Sequence, residues 1–283
     1  MDLSCIIVNY QNSESLKGCL DSIYQTIQEI DFEVIIIDNS KENLELQTLK
    51  GNYPKIQIIC NPTNVGFSKA NNQAAKIARG KFLFILNPDT ILKEQATNSM
   101  FSYICTNMAT GALGPKVVNP DGSLQYSCRR YPTLWTGLFN RYSILSRLFP
   151  QNHFTRQYLM LDFDHNETSP VDWLSGCCLM IPKSVFEEVS GFDENYFLFN
   201  DDVDLCRMIY QTGKEIIYFP EATVIHKVST SNKKTSTKVI IQRHLGMMYY
   251  FKKHHSKNLL VRGIVNFFIC SRGILQLFTN LVK

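Results

Sequence analysis

Four apolar runs within the first hundred residues leave this chain few folds to choose from. Residues 3–8, 32–37, 56–60 and 81–86 read as strands with little polar alternation along them. Strands that are apolar on both faces belong in a parallel sheet covered by helices on both sides. The segments between them can supply that cover. Residues 13–27 repeat Leu16, Leu20, Ile23 and Ile27 on one helical face, a polar helix is expected after Asp38-Asn39-Ser40, and residues 67–78 read as another helix. The fold class is therefore α/β, with a mostly parallel sheet flanked by helices. Ligands of such sheets bind beyond the carboxyl ends of the strands. Four polar clusters fall at those ends: Asn9-Tyr10, Asp38-Asn39, Asn61 to Asn64, and Asn87-Pro88-Asp89.

Beyond Gly114 the pattern changes. Residues 117–126 read as a hairpin turning at Asp121-Gly122, and residues 133–170 as an irregular, aromatic-rich insertion near a ligand. Residues 171–182 are apolar again, and Ser184 to Glu187 has the spacing of a capping box opening a short helix. A helix is expected over residues 93–107 and another from about Asp202 to Gln211, ending near Gly213. Strands at 215–219 and 222–226 follow, and the remainder reads as helical.

Charge is unevenly distributed along this sequence. Residues 227–283 hold eleven Lys or Arg and no Asp or Glu, while the other 18 basic and all 25 acidic residues give residues 1–226 a balance of −7. A basic tail on an acidic body predicts that the tail faces something anionic. On a helical wheel Arg262, Asn266, Arg272, Gly273, Gln276, Asn280 and Lys283 share one narrow face, with apolar residues over most of the rest. That arrangement predicts binding along an anionic membrane surface through residues 257–283, with packing on the chain's own domain or a second subunit as the rival reading. The polar interruptions argue against a spanning helix. Nine cysteines without metal-ligand spacing predict reduced thiols, and the amino terminus reads as a strand rather than a signal peptide, so a cytoplasmic location is expected.

Candidate chemistry concentrates in acidic residues. Asp201, Asp202 and Asp204 crowd into four positions behind the aromatic run Tyr196 to Phe199. One carboxylate at a helix start is explained by free amides and the helix dipole, but three exceed that need because like charges repel. Asp89 follows an apolar strand, where it either holds a hard divalent cation or belongs to an ordinary Asn-Pro-Asp turn. His226 ends a strand and joins Asp89 only if the fold brings the two strand ends together. Asn64 and Gly66 stand before a helix whose first amides could receive a diphosphate, or simply cap it. The chain lacks both GxGxxG after its first strand and a GxxxxGK[ST] loop, which weakens dehydrogenase and P-loop readings.

In order along the chain, Ser4 to Tyr10, Val34 to Ser40, Asn64-Val-Gly-Phe67 with Ala70-Asn-Asn72, Leu86 to Thr90, Trp173 to Gly176, Gly191 to Glu194, Asp201 to Leu205 and Pro220 to His226 together resemble the family 2 glycosyltransferases. The likeness is strongest to their bacterial rhamnosyltransferase-like branch and spans roughly residues 3–255. It implies a GT-A fold and an inverting transfer of sugar from a nucleoside diphosphate to a hydroxyl. By the same resemblance, Tyr10 and Asp38 contact base and ribose, Asn64 and Gly66 lie along the diphosphate, and Asn87 and Asp89 occupy the metal-binding DxD position. His226 completes the metal site, Trp173, Ser175 and Gly176 fall between donor sugar and acceptor, and Asp202 is the catalytic base. Asp201 stands where that family usually carries Glu.

The resemblance further implies Mg²⁺ or Mn²⁺ as cofactor and dTDP-rhamnose or a UDP-sugar as donor. The acceptor would be a saccharide or a lipid-linked glycan, in bacterial surface polysaccharide assembly. Residues 1–232 would form the transferase domain, with a nucleotide-binding half over 1–115 and an acceptor half over 116–232, followed by a basic helical region over 233–283. No nucleic-acid partner is expected, and a homodimer is compatible with the sequence. Nucleotidyl transfer, or sugar-nucleotide binding without catalysis, are the competing readings.

Overall fold

The computed structural model describes residues 1–41, 49, 51–133, 136, 152–227, 236–255 and 258–282. The polar helix expected after Ser40 and much of the insertion expected over 133–170 lie outside these residues, as do Lys257 and Lys283.

Strands β1 (Leu3–Asn9), β2 (Phe32–Asp38), β3 (Ile56–Cys60) and β4 (Phe82–Leu86) form the parallel half of one sheet, in the order β3-β2-β1-β4. Register aligns their carboxyl ends: Asn9 stands opposite Asp38, Asp38 opposite Cys60, and Ile7 opposite Leu86. The second half uses β5 (Thr90–Leu92), β6 (Thr110–Val118), β7 (Leu124–Gln125), β8 (Cys128–Arg129), β9 (Ser169–Pro170), β10 (Trp173–Leu174), β11 (Cys178–Pro182) and β12 (Glu215–His226). From β4 the sheet continues β11-β6-β12-β5, with β7 on β6 and β9 on β12, while β8 and β10 pair separately. β11 is antiparallel to β4, with Cys178 opposite Leu86, so the segment just before β11 arrives at the rim that carries Asn87.

Helices cover both faces, as the uninterrupted apolar strands require. Leu3, Cys5 and Ile7 of β1 point into a core shared with α1 (Ser13–Thr26) and α3 (Ala96–Thr106). Ile6 and Val8 point into the opposite core, shared with α2 (Phe67–Ile77) and α6 (Asp201–Gln211). Shorter helices α4 (His153–Leu159) and α5 (Lys183–Glu188) lie between, and α7 (Thr237–His254) and α8 (Leu259–Val282) close the chain.

Four expectations need correction. The helix expected over 93–107 begins only at Ala96, because Thr90–Leu92 instead forms β5, paired with the end of β12. A three-residue strand is too short to carry a period-2 signature. The two strands expected at 215–219 and 222–226 are one strand, β12, whose register against β6 shifts between Phe219 and Thr223, around Pro220. Ser184 does not cap α5: the helix starts at Lys183, whose amide donates to Lys81 O at 2.8 Å, so the sheet edge supplies the partner.

The fourth correction concerns the carboxy-terminal helix. Its polar stripe faces inward where a surface-bound helix would turn it to the headgroups. Arg272 Nε donates to His244 Nε2 of α7 at 3.1 Å, and a Cβ at Gly273 would sit 3.2 Å from the same imidazole. The outward residues are Leu259, Leu260, Ile264, Phe267, Phe268, Ile274, Phe278 and Leu281. Residues 259–281 average a hydropathy of 1.3 over 23 residues, long and apolar enough to cross a membrane.

Asp204 belongs to this architecture rather than to any chemistry. Its carboxylate accepts from Tyr196 Oη at 3.1 Å, Lys253 Nζ at 2.8 Å and His254 Nε2 at 2.6 Å, tying α6 to the end of α7. Removing the carboxylate strands the His254 imidazole and the Tyr196 hydroxyl, while Lys253 keeps Asp193 at 2.7 Å. Asp204→Ala is expected to cost about 2–3 kcal/mol of stability, less than for a fully buried pair because Lys253 retains that second carboxylate. A chemical-denaturation midpoint equal to the parent's would refute this.

Candidate active site

Two consecutive backbone amide positions join the acidic elements. Gly176 N donates to Asp202 Oδ2 at 3.2 Å, while the carbonyl of the next residue, Cys177, accepts from Asn87 N at 2.9 Å and Thr90 Oγ1 at 3.1 Å. The charges of Asp89 and Asp202 both act on the buried Cys177 thiol. Asp89 and Asp202 thus sit at one rim, brought together by the reversed direction of β11.

Asp201 and Asp202 open α6, directly after Phe199 and Asn200, whose φ values of 66° and 63° place two successive non-glycine residues in the left-handed region. Such conformations cost about 1–3 kcal/mol each and persist where packing enforces them. Here α7 does so: a Cβ at Gly246 would lie 2.9 Å from Asn200 Nδ2 and 3.1 Å from Phe199 O. Asp202 Oδ1 accepts from Val203 N at 2.9 Å, and Asp201 Oδ2 from Ser68 Oγ at 3.3 Å. Burial pushes both carboxyls above the ordinary carboxylate range, and for Asp201 the neighbouring Asp202 charge adds to the effect. Hydrogen bonds from Gly176 and Val203, with the Arg129 charge, restrain the rise at Asp202.

A raised native pKa makes the folded state the better proton binder, so this pair costs stability progressively as pH rises through that pKa. Asn at 201 can still accept from Ser68 but cannot ionise. Asp201→Asn should therefore gain thermal stability over the parent as pH rises from about 4 to about 7, where the unfolded parent ionises this carboxyl and folding must return its proton. A melting-temperature difference that stays flat across that range would contradict it.

Asp89 and His226 meet because β5 and β12 pair with Thr90 opposite His226. Asp89 Oδ1 lies 3.2 Å from His226 Nε2, and Asn87 Nδ2 lies 3.3 Å from the same nitrogen. Gln125 settles the tautomer. Its Nε2 donates to Asn119 Oδ1 and His226 O, both at 2.7 Å, which leaves Oε1 to accept from His226 Nδ1 at 3.1 Å. In the neutral ring Nε2 is then the lone-pair nitrogen, beside the Asp89 carboxylate. A carboxylate oxygen beside an imidazole nitrogen, with the imidazole's other N–H held by an outer partner, suits a divalent cation such as Mn²⁺. Among the described residues no group of three or more His, Cys, Asp or Glu converges on one point. The protein thus offers a pair of ligands to a cation that phosphate and water would complete.

At the far end of the parallel strands, Asp38 is fully buried and Oδ1 accepts from Asn9 Nδ2 at 2.9 Å and Ser40 N at 3.2 Å. Asp38 Oδ2 and Asn9 Oδ1 are buried without a partner. Tyr10 stands beside them, half exposed. Asn64 Oδ1 accepts from Gly66 N at 2.9 Å. The close approach that Gly66 allows is to Phe197, whose carbonyl would lie 2.7 Å from a Cβ there and accepts from Phe67 N at 2.8 Å. That first amide of α2 is spent inside the protein. Trp173 is buried with Nε1 donating to Arg130 O at 2.8 Å, and Ser175 N donates to Ser127 O at 2.7 Å.

Sequence reasoning missed Gln125, Ser68 and Arg129. Gln125 had one usable signal, its place across the Asp121-Gly122 turn on the strand that faces β6. The other two owe their positions to contacts between distant segments.

The sequence profile of the family described as Glycosyl transferase family 2 matches residues 4–189. The chain belongs to that family. Across residues matched to an N-acetylglucosaminyl-diphospho-decaprenol L-rhamnosyltransferase of Mycobacterium tuberculosis it is 28% identical over 265 residues, covering 90% of this chain and 85% of the relative. The rhamnosyltransferase WbbL of Escherichia coli is 25% identical over 241 residues, covering 82% of this chain and 86% of that one. Among solved structures, the Pyrobaculum calidifontis mannosyltransferase PcManGT, in complex with GDP-Man and Mn²⁺, superposes with a TM-score of 0.62 at 15% identity, covering 99% of this chain and 75% of that chain. GalNAc-T7 with UDP, GalNAc and Mn²⁺ gives 0.64 at 14% identity, covering 96% and 55%. Family 2 membership makes the chain a glycosyltransferase, and its fold is the GT-A fold expected from the sequence.

Proposed function

We propose that this family 2 enzyme transfers a sugar, with inversion, from a nucleoside diphosphate to an acceptor hydroxyl in bacterial surface glycan assembly. The observation that carries the reading is the Gly176-Cys177 segment, which touches Asp202 on one side and the Asn87–Thr90 loop on the other. A base and a leaving-group site must lie on opposite sides of one anomeric carbon, and this segment is where such a sugar would rest.

Asp202 takes the acceptor proton as general base, a role worth about 10²–10⁴-fold and favoured by a carboxyl whose burial raises its basicity. Asp89 and His226 would hold Mg²⁺ or Mn²⁺, which when bound supplies Lewis-acid neutralisation of the departing diphosphate. Gln125 holds the His226 ring in its ligating tautomer. Asp38, Asn9 and Tyr10 would receive ribose and base, using the unpartnered acceptors beneath the rim. Trp173 and Ser175 shape the floor under the sugar.

The names of the two rhamnosyltransferases favour a rhamnose donor such as dTDP-rhamnose, with UDP-sugars next, and that of the mycobacterial relative favours a lipid-linked acceptor. The outward apolar side of α8 supports such an acceptor, with the enzyme working at the cytoplasmic face of the membrane. A panel of nucleoside diphosphate sugars, each with Mn²⁺ or Mg²⁺, tests the reading by calorimetric binding and by donor hydrolysis. One sugar nucleotide that binds only with the cation and is slowly hydrolysed is the expected result. Tight binding of every nucleotide with no turnover would favour a non-catalytic role.

A further inference from the structure

Tyr158 of α4 stands among cationic side chains to which no substrate contact has been assigned. The Arg129 guanidinium lies 6.0 Å from the Tyr158 ring centre and 5.1 Å from that of Trp173. Arg129 is also the side-chain hydrogen-bond partner of the Tyr158 hydroxyl, and the charges of Asp202 and Arg272 reach the same hydroxyl. Arg129 Nε is buried without a partner. Neither Arg129 nor Arg272 forms an ion pair among the described residues.

Arg272 reaches inward from α8 to His244, whose Nδ1 is bonded to Ile240 O at 2.7 Å and whose Nε2 therefore accepts. Arg243, on the same helix as His244, lies 4.5 Å above the Phe199 ring, in the segment leading into Asp201. Burial, with the charge of Arg243 nearby, lowers the Arg272 pKa, so the two cations are gathered at a cost. Guanidinium groups brought together in a partly desolvated space are stabilised by an anion, and their planar donors match phosphate oxygens. The helix that carries Arg272 also turns Ile264, Phe267, Phe268 and Ile274 to the outside. Anion and hydrocarbon sites on one helix, beside the candidate base, fit a single kind of molecule.

We propose that Arg129, Arg243 and Arg272 hold the phosphate or diphosphate of a lipid-linked acceptor, its hydrocarbon along α8 and its sugar hydroxyl at Asp202. This assignment rests on the transfer reading given above. The donor's diphosphate belongs instead beside Asp89 and His226.

The test uses the full chain in neutral detergent, with farnesyl diphosphate, farnesol, and UDP or dTDP with Mn²⁺ as probes in thermophoresis. The variants are Arg129→Ala/Arg272→Ala and Arg129→Lys/Arg272→Lys, each checked by thermal melting. Farnesyl diphosphate should bind the parent better than farnesol does. Its affinity should fall about 10- to 100-fold in the alanine pair, with much of it retained in the lysine pair and nucleotide affinity unchanged. Should the alanine pair not fold, the lysine pair and the farnesol comparison still decide. Equal binding of farnesol and farnesyl diphosphate, or a nucleotide affinity that falls by the same factor, would overturn the assignment. So would binding to phosphatidylglycerol vesicles that farnesyl diphosphate cannot compete away, since the cluster would then read headgroups. A parent protein that binds farnesyl diphosphate but no nucleotide with Mn²⁺ would instead overturn the transfer reading, and this assignment with it.

Discussion

Asp202→Asn should lower sugar transfer by about 10²–10⁴-fold while donor affinity stays within about twofold. The substitution keeps the side chain's size at the start of α6 but removes its proton-accepting ability. One structural cost accompanies it. Asp202 accepts from both Gly176 N and Val203 N, and Asn has one acceptor oxygen for two donors. Leaving one amide unmatched costs about 1 kcal/mol, too little to explain a loss of several orders of magnitude. In the parent enzyme, kcat/KM should fall as pH drops through the Asp202 pKa, since a protonated carboxyl cannot act as base. Burial places that limb above the usual carboxylate range. Transfer by the variant at more than about a tenth of the parent rate would remove Asp202 from the base role.

The second large effect is expected at Asp89. Asp89→Ala should weaken cation-dependent nucleotide binding by at least about a hundredfold, and EDTA should bring the parent down to the variant's level. Gln125→Leu should behave differently. It leaves both ligands in place but frees the imidazole to change tautomer, so a loss of about 10- to 100-fold in Mn²⁺ affinity is expected, with a modest fall in melting temperature from the lost hydrogen bonds to Asn119 and His226. Manganese titration followed by paramagnetic resonance separates the two variants. Equal Mn²⁺ affinity in the parent and Asp89→Ala would assign the cation to other residues.

Much of this arrangement was legible before any coordinates. β1 to β4 were readable because a strand buried on both faces has no polar alternation, and their ends named Asn9, Asp38, Asn61 and Asn87 at once. His226 was legible only as a residue at a strand end. Its meeting with Asp89 depends on β5, three residues that carry no periodic signal. Asp201, Asp202 and Asp204 look alike in sequence, yet Asp204 turns to Lys253 and His254, about fifty positions further along the chain. Helical spacing alone could have separated them, but their partners could not be guessed. The polar stripe of α8 is legible in the sequence but its direction is not, because periodicity finds a stripe without saying whether solvent or protein lies against it.

The strand that runs against its neighbours has a wider effect. β11 enters from the rim that holds the polar clusters and leaves at the other, and among the described residues that opposite rim carries connections such as the exposed bend at Gln28 and Glu29 before β2. Loop tips of that sort take added length without disturbing distant geometry. Fluorophores, affinity handles or whole inserted modules therefore belong on that blind edge, where they would leave the working edge untouched.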